Sequence, residues 1–225
     1  MKIFLDCVFY SEVSKTLDSG LIDGIRADFT LFQPIDSVYK LYSKLLGHGV
    51  KEIIMPVMGN KDEMLNEGLK LVQEYGSAQT IVSVPMTKDG LLVCRELSKQ
   101  RIRTDVSLVF TIPQAVLAAK AGATYISPSI KHLDEQQVAG LEVIRGITNF
   151  FCHKNVATKV NATGIQTVQR AVRSFYNGAE IVSLPHLIFE EMYSNMLTDE
   201  NYTKMKSCYT RYVDAYTEFT SQTDN

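Results

Sequence analysis

The chain is predicted to be an α/β protein, a (β/α)8 TIM barrel with a C-terminal helical tail. Short β-rich runs alternate with helical stretches along its length, which is the rhythm of parallel strands joined by crossover helices, and eight such runs are present. Each run closes on small polar residues or proline. No glycine-rich phosphate turn follows the first run, where Asp6 leads into Cys7-Val8-Phe9-Tyr10, and a doubly wound open sheet normally carries one there.

The elements follow in order. Ile3-Phe4-Leu5 is a first strand ending at Asp6, and Ser11 to Leu17 a short helix. Gly20 and Gly24 bracket a second strand, Leu21 to Ile25. Val38, Leu41, Leu45 and Leu46 give the stretch from Ser37 to Leu46 a helical period, which Gly47 and Gly49 stop. Ile53 to Val57 is the third strand, and Asp62 to Tyr75 a helix with Met64, Leu65, Leu69 and Val72 on its inner stripe. The central strands are Ile81 to Pro85, Val106 to Phe110 and Ala123 to Pro128, separated by helices over Gly90–Leu97 and Gln114–Lys120. A single helix is expected from Glu135 to Phe151. The seventh strand, Ala157 to Ala162, is interrupted by Lys159 and Asn161. A helix from Thr167 to Asn177, closed by Gly178, leads to the eighth strand, Ala179 to Pro185. Another helix spans Leu187 to Met196. Asp199 to Phe219 is a long amphipathic tail with Met205, Cys208, Tyr209, Tyr212, Val213 and Tyr216 on one side. The domain reading is a barrel over 1–198 and a tail over 199–225.

Bulk properties narrow the function classes. The 225 residues are 45% hydrophobic, enough for one large core, at the short end of the range for this barrel. A formal charge of -2 gives no reason to expect nucleic acid or an anionic membrane as partner. Cys7, Cys94, Cys152 and Cys208 are far apart and form no CxxC pair, so they read as reduced thiols of a cytoplasmic protein. The N-terminal apolar run breaks after three residues, too short for a signal peptide, and no later stretch approaches a membrane span. No cofactor or metal is expected, because the chain has neither a Walker loop nor HExxH or Cys/His ligand spacing.

In such a barrel, function gathers at the carboxyl ends of the strands. The tips read Asp6; Arg26, Ala27 and Asp28; Pro56; Ser83; Ser107; Ser127, Ser129, Lys131 and His132; Asn161, Thr163, Gly164 and Gln166; and Ser183. This hydroxyl-rich rim with charges of both signs suits a small polyol or sugar. Asp6 and Asp28 could form an acid/base pair, or Arg26 could simply neutralise Asp28. Lys131 could be a Schiff-base amine or a solvated lysine, and His132 a proton shuttle, an anion ligand or a surface residue. Ser83 and Ser107 could serve only to hydrogen-bond within a polar barrel centre.

A longer set of residues carries a resemblance. Val84-Pro85-Met86-Thr87 with Gly90, Thr104 to Phe110, Gln114-Ala115, Leu117 to Tyr125 and Ser127-Pro128 closely resemble the small-subunit transaldolases, a group that includes fructose-6-phosphate aldolase. The likeness extends to Phe4-Leu5-Asp6, Gly20 to Gly24, Gly178 to Ile181, Leu184-Pro185, Met192 and Leu197-Thr198-Asp199, and so covers nearly the whole chain.

The resemblance implies a (β/α)8 fold and class I aldol chemistry on sugar phosphates of the pentose phosphate pathway. In that chemistry a fourth-strand lysine forms a Schiff base, assisted by a strand-one aspartate, a strand-two asparagine and a threonine-bound water, while two arginines grip phosphate. Asp6 matches the aspartate, and Ser107 keeps the threonine hydroxyl. The remaining positions depart: Ser83 stands at the lysine, Arg26-Ala27-Asp28-Phe29 at the strand-two motif, Pro56 at the strand-three polar residue, His132 at one arginine, and Gly164-Ile165-Gln166 at the motif bearing the other. A serine hydroxyl forms no imine. The expectation is therefore a pseudoenzyme or a repurposed sugar-binding member, with Asp6, Ser107, Asp28 and Lys131 as candidate catalytic groups. Arg26, Ser83, Ser127, Ser129, His132, Asn161 and Gln166 are the candidate ligand-binding groups. The alternative is an active aldolase or transaldolase whose nucleophile has moved to Lys131. The expected ligand is a small polar metabolite or sugar phosphate. By the same resemblance the chain forms a homo-oligomer, a pentamer or decamer, with the tail packed on a neighbouring subunit.

Overall fold

A computed structural model of the chain describes residues 1–7, 10–27 and 35–223. Among these residues eight parallel strands close into a barrel in sequential order. The elements are β1 (Lys2–Cys7), α1 (Tyr10–Leu17), β2 (Gly24–Ala27), α2 (Ile35–Gly47), β3 (Ile53–Pro56), α3 (Lys61–Tyr75), β4 (Thr80–Pro85), α4 (Lys88–Lys99), β5 (Thr104–Ser107), α5 (Ile112–Lys120), β6 (Tyr125–Ser127), α6 (Ile130–Glu135), α7 (Gly140–His153), β7 (Lys159–Ala162), α8 (Val168–Tyr176), β8 (Ile181–Pro185), α9 (His186–Glu191) and α10 (Met196–Thr223). The pairing of β1 with β8, with Phe4 beside Ser183 and Asp6 beside Pro185, completes the closure.

The strands are buried on both faces, as a parallel sheet covered by helices requires. Their outward residues, among them Leu5, Ile25, Val82, Val106, Ile126, Val160 and Leu184, share one continuous core with Val13, Leu45, Met64, Leu97, Ala118, Ile144 and Ala171 of the helices. Alternate residues point inward. Phe4, Ile54, Ile81, Tyr125 and Ile181 form a second, separate buried cluster on β1, β3, β4, β6 and β8, the apolar layer across the barrel's interior.

Several helices start where side chains satisfy the free N–H groups of the first turn. Asn60 and Glu63 form a reciprocal capping box on α3, Thr111 and Gln114 another on α5, and Thr87 caps α4 through the Gly90 N–H.

Four expectations are corrected, the first being that the fifth strand, expected over Val106 to Phe110, runs Thr104–Ser107, with Leu108 at φ 59° beyond its end. The second strand begins at Gly24, because the Asp23 carboxylate accepts the Ile3 N–H and turns the chain into the sheet there. A side chain at Gly24 would meet the Phe4 ring and the Glu52 carbonyl oxygen, each 2.7 Å away, so glycine is what lets β2 lie against β1. The helix expected from Glu135 to Phe151 starts only at Gly140, Glu135 being the last residue of the preceding α6. Gln137 takes φ 59°, and the Asp134 carboxylate accepts the Gly140 N–H to start α7 afresh. The helix expected from Leu187 to Met196 ends at Glu191, and α10 begins at Met196.

The chain divides into two compact units, Met1–Phe189 and Glu190–Asn225. The first is the barrel. The second is built on α10, a 28-residue helix on which Tyr202, Met205, Tyr209, Tyr212 and Tyr216 are exposed. No helix among the described residues is long and apolar enough to cross a membrane.

Candidate functional site at the carboxyl ends of the barrel strands

Period-two alternation fixes what lies above the apolar layer. Two residues past Phe4, Ile54, Ile81, Tyr125 and Ile181 come Asp6, Pro56, Ser83, Ser127 and Ser183, which therefore also face the interior. At the opposite, N-terminal end of the strands, Lys2 and Arg103 both bind Glu52, Lys2 with Nζ 2.6 Å from the carboxylate. Burial pushes the Glu52 carboxyl up, but the hydrogen bonds from Lys2 and Arg103 outweigh it and hold the group below its ordinary range. These charges close the floor of the barrel.

The interior above the apolar layer holds a directional chain of hydrogen bonds. Ser183 Oγ donates to Asn161 Oδ1 at 2.9 Å, and Asn161 Nδ2 donates to Ser127 Oγ at 3.1 Å. Ser127 Oγ donates to Asp105 Oδ1 at 2.6 Å, and Ser83 Oγ donates to Asp105 Oδ2 at 2.7 Å. Four strands feed protons towards one carboxyl group on β5. Asp105 is 1% exposed. Burial pushes its pKa up, while hydrogen bonds from Ser127 and Ser83 and the more distant charge of Arg26 pull it down; the net shift is upward. The Asp105 carboxyl forms no ion pair with a described residue.

Asp6 is treated differently. Arg26 Nε donates to Asp6 Oδ1 at 2.7 Å, across the register pair that joins β1 to β2. Asp28, expected as the second acid/base carboxylate, lies outside the described residues.

The rim is built by the segments that follow the strands. Ser107 Oγ donates to the Val84 carbonyl at 3.3 Å. Ser129 caps α6, its Oγ sits 2.8 Å from His132 Nδ1, and the His132 ring meets Phe110 edge-on. A Cβ at Gly164, which has φ 68°, would meet Ser129 Oγ at 2.6 Å and the Lys131 backbone nitrogen at 3.0 Å. Glycine there allows the tip of the seventh strand to approach α6. Lys131 lies on α6 with its side chain 49% exposed and Nζ 3.9 Å from Glu135. Gln166 is exposed, one residue before the α8 cap Thr167.

The structure thus joins Asp6 with Arg26, links Ser83, Ser127 and Asn161 through Asp105, and pairs Ser129 with His132. Lys131, Gln166 and Ser107 stand outside these groups. Asp105 is the residue that sequence reasoning missed. Its signal was an aspartate within an apolar strand, two positions before Ser107 and hence on the same face.

A family model for transaldolase/fructose-6-phosphate aldolase matches residues 29–224. A probable transaldolase of Thermoplasma volcanium is 31% identical over 208 residues, covering 91% of this chain and 93% of its own length. One from Caulobacter vibrioides is 31% identical over 204 residues, 89% of this chain and 92% of its own. Another, from Nitrosopumilus maritimus, is 33% identical over 213 residues, 91% of this chain and 94% of its own. With the closed eight-stranded barrel and these likenesses spanning almost its whole length, the chain belongs to the transaldolase/fructose-6-phosphate aldolase family.

Proposed function

We propose that this family member binds a small polar, polyol-like metabolite at the carboxyl ends of its strands without forming an imine. The observation that carries the reading is the hydrogen bond from Ser83 to Asp105. At the position where the family resemblance implies a reactive amine, the side chain is a hydroxyl already committed to a buried carboxyl. Imine formation needs a neutral primary amine, and a serine oxygen cannot replace it.

The phosphate grip is altered in the same direction. His132 and Gln166 stand where the resemblance implies arginines, and a glutamine offers neither charge nor a bidentate fork. What the interior offers instead is hydroxyls, an amide and the Asp6–Arg26 pair, groups that match sugar hydroxyls. Asp6 and Ser107 are retained from the family pattern as polar contacts, and Ser127, Ser129 and Asn161 complete the binding set. The reading includes a cytoplasmic homo-oligomer, a pentamer or decamer, in which the exposed face of α10 packs on a neighbour.

Fructose 6-phosphate cleavage and transaldolase exchange, assayed on the purified full chain, test the reading. Neither activity is expected. Turnover that disappears on Ser83→Ala would contradict it.

The alternative, an aldolase working through Lys131, has one observation in its favour: the Lys131 backbone lies beside Gly164 at the tip of the seventh strand. Its amine, however, is half exposed and near Glu135, whereas a catalytic lysine needs desolvation or neighbouring positive charge to populate its neutral form.

A further inference from the structure

The charges inside the barrel do not balance. Asp6 and Asp105 face the interior, and Arg26 donates its Nε to Asp6. The other nearby cations are engaged elsewhere. Lys2 and Arg103 bind Glu52 at the floor, and Lys131 lies near Glu135 with its side chain half exposed. Asp105 is therefore a fully buried acid held by two neutral hydroxyls. Burying a carboxylate without a cation is costly, and the group responds either by binding a proton or by acquiring a positive partner.

The direction of the hydrogen bonds says what kind of partner fits. A serine hydroxyl has one proton and two lone pairs. Ser83 and Ser127 both give their proton to Asp105. Ser127 also accepts from Asn161, while Ser83 has a lone pair to offer. Each Asp105 oxygen accepts one hydrogen bond and retains capacity for another. A ligand group arriving at Ser83 thus meets acceptors backed by an acid whose ionised form has no ion-pair partner among the described residues. Ser83 and Ser127 are 4% exposed and Asp105 1%, so the serines are the less buried members of the group. A phosphate or carboxylate is repelled there, a hydroxyl is tolerated, and an ammonium group is matched in both charge and donor count.

We propose that the interior site takes a small primary amine bearing hydroxyl groups, an amino polyol, whose ammonium nitrogen binds Ser83 Oγ and neutralises Asp105. This rests on the reading that Ser83 has no imine chemistry and deepens it: the ligand brings the ion-pair partner that Asp105 lacks among the described residues. The proton balance is explicit. Where Asp105 starts protonated, the bound state pairs R-NH3+ with the carboxylate and releases one proton to the buffer. The ligand's hydroxyls face the Asp6–Arg26 pair and the Ser107 rim.

The test compares two ligands that differ at one carbon, D-glucamine and D-sorbitol, by titration calorimetry on the full chain at neutral pH. D-glucamine is expected to bind at least about tenfold more tightly, the factor that about 1.4 kcal/mol of charge pairing supplies. Asp105→Asn is expected to remove that preference. Ser83→Ala, which keeps the carboxyl, is expected to weaken D-glucamine binding. Equal affinities for the two ligands, no D-glucamine binding at millimolar concentration, or a preference that survives Asp105→Asn would each overturn the proposal. Neither probe has a carbonyl, so these outcomes are independent of imine formation. A trapped ketose adduct would instead sink the reading on which the proposal rests.

Discussion

Ser83 and Asp105 are register partners on β4 and β5, and the hydroxyl of one donates to the carboxyl of the other at 2.7 Å inside the barrel. Adjacent residues of a parallel ladder point to the same face, so the two positions act as a unit. A long cation at the fourth-strand position would meet the acid directly. With serine there, the acid instead collects hydrogen bonds from Ser83 on β4 and, through Ser127 and Asn161, from as far as Ser183 on β8.

The first prediction concerns pH. Because the folded-state pKa of Asp105 is raised above its ordinary 3.8, chiefly by burial, its contribution to stability is fully present below that value. It is lost as pH rises through the raised folded value. Asp105→Asn removes this dependence. Urea melts of both proteins from pH 4 to pH 8 should therefore show the variant gaining on the wild type as pH increases. A constant gap across the range would contradict this account of the site.

A second prediction concerns the turn from β4 into α4. A methyl group at Gly90 would run into the backbone oxygen of Pro85, and neither backbone can yield without moving the strand end. Gly90→Ala should cost on the order of 2 kcal/mol, within the range of overpacking. Thr87→Ala, which removes only the cap on the Gly90 N–H, should cost about 1 kcal/mol. Thermal unfolding of the two variants checks the order. A Gly90→Ala protein as stable as the wild type would show that the turn has room.

The third prediction concerns α10. Tyr202, Met205, Tyr209, Tyr212 and Tyr216 recur at alternating spacings of three and four, the seam of a helix that packs along its length, and all are more than half exposed. A chain ending at Asn195 should form smaller particles in light scattering than the full chain. An unchanged particle mass would remove α10 from the proposed assembly.

How legible this was in the sequence differed by layer. The barrel was readable because every strand is buried on both faces and each is followed by a helix with its own apolar stripe; Leu45, Met64 and Ile144 all pack where periodicity placed them. The start of β2 was not, because Leu21 and Ile22 read as strand residues while the deciding contact, Asp23 to the Ile3 N–H, is non-local. The break after Glu135 was hidden for a similar reason: it depends on Asp134 capping Gly140 and on the packing of Gly140 against Ile130. At the site, Asp6 and Ser83 stood out as strand-end polar residues. Asp105 did not, because its role exists only once β4, β5 and β6 lie side by side and bring two serines to it.

The central claim is that the barrel offers no amine for imine formation. It is tested most directly by incubating the full chain with dihydroxyacetone and borohydride, then weighing the intact protein and mapping its peptides. The account predicts an unmodified mass. A reduced adduct on Lys131, or on any lysine reaching the barrel interior, would contradict it.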